Sequence, residues 1–293
     1  MSNVAFTDGM IVGAAAALCW GIGDFLAKVA IDRFGPDSDL KALFWTRLFG
    51  LVPVLALFFY TGAYASISTG ILPMLFCLGL FNFFAYHAFY RGMKKGEVSV
   101  VSPVAGSYAL ITALLGVLLI GESLNAIRLA GVSALLLGIP LVSLDFSKLR
   151  TTRRNLLGAG AFEAVLAMLG WGVMWTLVGL WGKGLGWLLP IFGIRTTTFF
   201  LVSAYSTAKG VRLSEGVATV LPVVIAAGLL DACGYLLSSW AMNAELVSIA
   251  APISSTFPAI TVLLAVYFLR EKLAPNQIAG IIAILAGVIV ISI

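Results

Sequence analysis

The chain alternates between apolar stretches of about twenty residues and short breaks that hold most of its charges and turn residues. The stretches lie near 10–31, 40–60, 70–92, 98–119 and 126–144, then near 157–181, 187–208, 217–241, 247–269 and 275–293. A helix of roughly 20 mostly apolar residues crosses the hydrocarbon core of a bilayer, so the pattern predicts ten transmembrane helices with short loops. The one strongly hydrophilic connector runs from Asp145 to Asn155 and holds Lys148, Arg150, Arg153 and Arg154. It divides the chain into a first unit, 1–145, a connector, 146–156, and a second unit, 157–293.

The two units repeat. A shift of 149 residues places Pro73 on Pro222, Gly79 on Gly228, Tyr86 on Tyr235, Ser99 on Ser248 and Pro103 on Pro252. The same shift places Ile111–Thr112 on Ile260–Thr261, Glu122 on Glu271, Leu124 on Leu273, Gly131 on Gly280 and Gly138 on Gly287. No gap is needed over that stretch, which shared apolar composition would not produce. With small gaps nearer the N-terminus, Trp20–Gly21 answers Trp171–Gly172 and Arg47 answers Arg195. The pattern is a duplicated five-helix unit.

Five is odd, so the second unit enters the membrane from the opposite side. The loops after spans 1, 3, 5, 7 and 9 hold Arg33, Lys41, Arg91, Lys94, Lys95, Lys148, Arg150, Arg153, Arg154, Lys209, Arg212, Arg270 and Lys272. The loops after the even-numbered spans hold only Arg128 and Lys183. By the positive-inside rule the odd-numbered loops are cytoplasmic and both termini are outside. The expected fold is an all-α membrane protein of ten helices in two inverted five-helix repeats. The expected place is the inner or plasma membrane, with the lipid bilayer as a partner and the chain acting as a monomer.

Composition removes other classes. Of the 293 residues 61% are apolar and only 11% charged, with mean hydropathy +1.06. A soluble chain of this size needs about a quarter of its residues charged. The net charge of +5 is accounted for by topology signals, and no nucleic-acid partner follows from it. Cys19, Cys77 and Cys233 lie in apolar runs without metal-ligand or redox spacing, so neither a metal nor a disulfide is expected. Asp8 and the lack of a basic residue before the first span argue against a cleaved signal peptide.

Gly121-Glu122-Ser123-Leu124 followed by Gly131, and Arg270-Glu271-Lys272-Leu273 followed by Gly280, resemble the ends of the two EamA-type units of the drug/metabolite transporter superfamily. The resemblance runs over the whole chain. It implies two inverted five-helix units around a central cavity and transport of amino acids, sugars, nucleotide sugars, cations or drugs. The small multidrug resistance branch carries a glutamate in the middle of its first helix, and here Trp20 stands near that place.

Charges inside a membrane are costly and need a partner or water, at about 2.5–3.5 kcal/mol each on insertion scales. Six are candidates: Asp24, Lys28, Arg47, Glu163, Arg195 and Asp231. Asp24 and Lys28 are four apart on one helical face and are expected to pair, either for stability or for coupling. Arg47 and Arg195 begin the second span of each unit, where long side chains snorkel to the interface or serve the site. Asp231, Tyr235 and Ser239, and in the other unit Asn82, Tyr86 and Tyr90, form polar aromatic stripes at i, i+4, i+8. With Trp20, Asp24 and Trp171 they make the expected substrate site: Trp20, Asp24, Asn82, Tyr86, Trp171, Asp231 and Tyr235. Asp24, Lys28 and Asp231 are the expected coupling or ion-pair residues, and the proton is a candidate coupling ion. Asp231 has the uncharged Asn82 as its repeat partner, which points to coupling or cation binding rather than packing. Pro103, Pro252 and Pro258 are expected helix breaks, which either shape the packing or mark a transporter site. His87 is expected to be an interior or interface residue.

These features predict a secondary transporter of a small polar or zwitterionic metabolite, such as an amino acid, working by alternating access. An organic cation in an aromatic, acidic box is the alternative. There is no Walker A sequence and no cofactor signature, so a gradient or exchange is the expected energy source. A lipid flippase, a scaffold or an intramembrane enzyme fits the sequence less well, since His87 has no nucleophile signature around it.

Overall fold

The computed structural model describes residues 3–115, 118–119, 126–143, 159–181, 185–243, 254 and 256–292. Pro252, Glu122, the connector 146–156, Lys183 and the Arg128 side chain lie outside the described residues. Among the described residues every element is helical. The helices are α1 (Asn3–Phe34), α2 (Ser38–Tyr60), α3 (Leu72–Lys95), α4 (Val98–Gly106), α5 (Tyr108–Leu115) and α6 (Ala126–Ser143). They continue with α7 (Ala161–Trp181), α8 (Leu188–Ala208), α9 (Val217–Asn243), α10 (Phe257–Leu264) and α11 (Pro275–Ser292). A 3-10 turn, Ala63–Ser66, follows α2, and a π-helical turn, Ala265–Leu269, follows α10.

Six helices, α1, α2, α3, α7, α8 and α9, are long and apolar enough to cross a membrane. The remaining apolar helical stretches are shorter: Val98–Thr112, Leu129–Ile139, Phe257–Leu269 and Pro275–Val290. The stretch expected as one span over 98–119 is interrupted at Ser107. Its hydroxyl donates to the Pro103 carbonyl at 2.8 Å, and its N–H reaches back three residues to Val104 rather than four. The interruption thus falls four residues after Pro103, which itself sits inside α4, while Pro258 occupies the first turn of α10, where no helical hydrogen bond is lost.

The repeat read in the sequence reappears in the packing. α1 packs on α9 as α3 does on α7, α2 on α9 as α8 on α3, and α1 on α10 as α7 on α5. α6 and α11 form a pair of their own, where Gly138 and Gly280 let the two backbones touch. Equivalent helices also run in opposite senses, because α1 ends and α7 begins beside the last turn of α3. Lys28 near the end of α1 bonds the Met93 carbonyl, and Glu163 in the first turn of α7 pairs with Lys95. Large apolar side chains such as Phe84, Leu137, Phe200 and Ile282 are exposed on the outside of the bundle, as befits helices solvated by lipid.

Two glycines show what the close crossings require. A Cβ on Gly21 would stand 2.6 Å from the Ile260 Cβ, and one on Gly172 would stand 2.4 Å from the Ile111 Cβ. Thr261 donates to the Gly21 carbonyl at 3.1 Å, and Thr112 to the Gly172 carbonyl at 3.3 Å. The same contact is therefore made once in each half. Gly172→Ala should destabilise the protein by about 1–3 kcal/mol through overpacking. Gly179→Ala, at a position with nothing within 4 Å, should be neutral or slightly stabilising in the same thermal-unfolding measurement.

Candidate functional site

The arginines of the second helix in each half do not lie at the interface. Arg47 is nine residues into α2 and Arg195 seven into α8, which places them about 14 and 10 Å along their helices. At that depth snorkelling fails, and each is only 1% exposed. Both guanidiniums meet one carboxylate, that of Asp231 on α9: Arg47 Nη2 at 2.7 Å and Arg195 Nη1 at 2.5 Å, both to Oδ2. Tyr86 on α3 donates its hydroxyl to the other oxygen, Oδ1, at 2.7 Å. The guanidinium carbon of Arg47 lies 3.9 Å from the centre of the Tyr86 ring, and that of Arg195 lies 4.5 Å from the centre of the Tyr235 ring. Arg47 Nε and Nη1 and Arg195 Nε and Nη2 are buried without a hydrogen-bond partner. The cluster thus holds two cations against one anion.

Asn82, the repeat partner of Asp231, sits in a parallel arrangement. Tyr235 donates to its Oδ1 at 3.1 Å, its Nδ2 donates to Thr198 at 2.9 Å, and Thr198 donates to the Gly79 carbonyl at 3.2 Å. Asn82 and Asp231 are therefore behind the cavity wall, where they orient Tyr235 and Tyr86.

The cavity has a volume of about 30 Å³ and is lined by Trp20 and Asp24 of α1, Tyr86 of α3, Tyr108 of α5, Trp171 and Trp175 of α7, Tyr235 of α9 and Phe257 of α10. The rings touch in sequence. From Phe257 the chain runs through Trp20 (5.9 Å between ring centres), Tyr235 (5.6 Å), Trp175 (5.9 Å), Tyr108 (6.4 Å) and Trp171 (6.3 Å) to Tyr86 (4.9 Å). Trp171 Nε1 is buried without a partner. The sequence had picked out five of the eight wall residues as site members. Trp175 lies one turn beyond Trp171, and Tyr108 and Phe257 were missed. A signal for these two existed, since each is an aromatic residue next to a helix interruption and the 149-residue shift superposes them.

The expected Asp24–Lys28 pair does not form. Lys28 bonds Asp32 at 2.9 Å, the Met93 carbonyl at 2.7 Å and the Gly96 carbonyl at 3.3 Å. The carbonyl-rich end of α3 and a carboxylate one turn onward together draw the ammonium away from Asp24. Among the described residues no hydrogen bond or ion pair reaches the Asp24 carboxylate, which is left to the cavity. Glu163 is taken by Lys95. His87 lies between Phe83 and Tyr205 at the α3–α8 seam, away from the cavity.

Comparison with known proteins decides the class. The model of the EamA-like transporter family matches residues 7–144 and again 158–293. The chain belongs to the EamA-like transporter family. It is a multi-pass membrane protein of a family of small-molecule transporters, which supports a non-enzymatic role. Uncharacterized protein MJ1333.1 of Methanocaldococcus jannaschii is 40% identical over 74 residues, 25% of this chain, and the match spans about half (54%) of that protein's length. A solved structure described as "Crystal structure of protein" superposes with a TM-score of 0.67 over 97% of this chain and 96% of its own, at 17% identity, a likeness in fold alone.

The shared carboxylate leads to a stability prediction. Asp231→Asn strands two buried guanidiniums and should lower stability by about 3–5 kcal/mol, as removal of one member of a buried ionic cluster does. Adding Arg195→Gln to Asp231→Asn should recover part of the loss, measured by thermal unfolding of the purified protein.

Proposed function

We propose that the chain is a secondary transporter of a small ammonium-bearing zwitterion, an amino acid or close relative. The proposed architecture is ten spans in two inverted halves, 1–145 and 157–293, which alternate access to the central cavity. The observation that carries the substrate class is Asp24, a carboxylate that makes no hydrogen bond or ion pair among the described residues, in a wall otherwise made of aromatic rings. Such a wall attracts a cation by its ring faces, worth about 2 kcal/mol when water is excluded, and Asp24 supplies the counter-charge. The unpartnered Trp171 indole N–H in the wall favours a hydrogen-bond acceptor on the substrate. With Asp231 engaged by both arginines, Asp24 is the better candidate for binding and coupling.

The unbroken succession of rings favours a second reading, an organic cation such as a quaternary amine. Thermal stabilisation of the purified protein by a ligand panel separates the two. Zwitterionic amino acids should stabilise it more than the corresponding amines lacking a carboxylate, sugars should have no effect, and Asp24→Asn should abolish the response. Stabilisation by amines and quaternary amines alone would establish the second reading instead.

The basic residues support a topology with both termini outside the cytoplasm. A cysteine introduced at position 3 should react with an impermeant thiol reagent in intact cells, and one at position 150 should not.

A further inference from the structure

Where α3 gives way to α4, two charges from distant parts of the chain grip the turn. Lys28 holds the carbonyls of Met93 and Gly96. On the other side Glu271, from the segment between α10 and α11, accepts the Val98 N–H at 3.0 Å through one oxygen and the Ser99 N–H at 2.9 Å through the other. These are the first amides of α4, which the helix itself leaves unsatisfied, and a carboxylate is favoured there by charge as well as by hydrogen bonding. The approach is enforced locally: Arg270, directly after the π-helical turn, adopts φ +59°, a left-handed conformation uncommon outside glycine, asparagine and aspartate.

α4 and α10 occupy the space between the cavity and this end of the bundle. α4 runs inward from Val98 to Gly106, all of it buried, and Tyr108 of the cavity wall follows two residues later. α10 starts at Phe257, also in the wall, and runs outward to the turn that carries Glu271. The two helices pack on each other and touch at the inner end, where a Cβ on Gly106 would stand 2.7 Å from Pro258 Cγ. At the outer end Glu271 joins α4 to the segment leaving α10. It is half-buried, so water can replace the amides when it lets go.

We propose that Glu271 is the gating residue of transport. Its carboxylate latches α4 against α10 and keeps the cavity shut toward the Lys28–Lys95 end, and opening on that side requires it to leave the Val98 and Ser99 amides. The proposal rests on the transporter reading and supplies the part that has to move.

The test uses full-length protein in which Cys19, Cys77 and Cys233 are replaced by serine, with a single reporter cysteine at Ser102 of α4, which is fully buried, or at Thr112 of α5, on the opposite side of the cavity. Reaction with a soluble maleimide is followed in the purified protein without substrate. Glu271→Gln should speed labelling of the Ser102 reporter about tenfold, the population shift expected from losing a charge-assisted hydrogen-bond pair. Labelling at Thr112 should stay level or fall. Val98→Pro removes one latch amide at a helix position that accepts proline, and should act in the same direction. It decides the question alone if Glu271→Gln is not recovered folded. Unchanged labelling at Ser102, or equal acceleration at both reporters, would reduce Glu271 to a helix cap and overturn the proposal. Because no substrate is added, this result is independent of the ligand panel. A silent panel with accelerated Ser102 labelling would sink the substrate reading and spare the gate.

Discussion

Two guanidiniums sharing one carboxylate in a dry interior is the constraint on which the rest of the structure depends. Moving an ion out of water costs several kcal/mol even after relaxation, so none of the three charges is stable there without the others. Meeting that requirement joins α2, α8 and α9 directly, and brings in α3 through the Tyr86 hydroxyl. The arginines also lie against the Tyr86 and Tyr235 rings, so the tyrosines are held between a layer of charge and the cavity. The aromatic wall is thereby fixed from behind.

Around this centre the helices divide into two kinds. The long ones pack through glycine crossings in which backbone meets side chain with no room to spare, as at Gly21 and Gly172. Such contacts do not deform gradually. The short helices α4, α5 and α10 begin or end at the cavity and are secured by a few polar contacts at their ends. A bundle built this way concentrates its capacity for movement where the chain is interrupted.

The helical, membrane-spanning character and the duplication were legible in the sequence because each rests on many positions at once: apolar length, loop charge and a constant shift of 149 residues. The aromatic part of the cavity was largely legible too, since Tyr86 and Tyr235 recur under that shift and Trp20 and Trp171 recur with small gaps. Pairing was not. Asp24 and Lys28 stand one helical turn apart and looked like partners, but spacing along one helix says nothing about the carbonyls of α3 that claim Lys28. Arg47 and Arg195 looked like interface residues because their distance from the nearest loop suggested it, and only the third dimension brings Asp231 between them. The break after Pro103 was correctly located by region and misplaced by four residues, because the Ser107 hydroxyl, four residues on, takes the Pro103 carbonyl that the Ser107 N–H leaves.

The cavity wall consists of four positions from each half. Trp20 answers Trp171, Tyr86 answers Tyr235, Tyr108 answers Phe257, and Asp24, by the same offset that relates the tryptophans, answers Trp175. Three of these pairs are aromatic on both sides, and the fourth sets a carboxylate opposite an indole. A wall with eight matched residues would hold an elongated molecule equally well head to tail or tail to head. The one pair that differs in charge removes that degeneracy, since the carboxylate stands on α1 and the answering indole on α7.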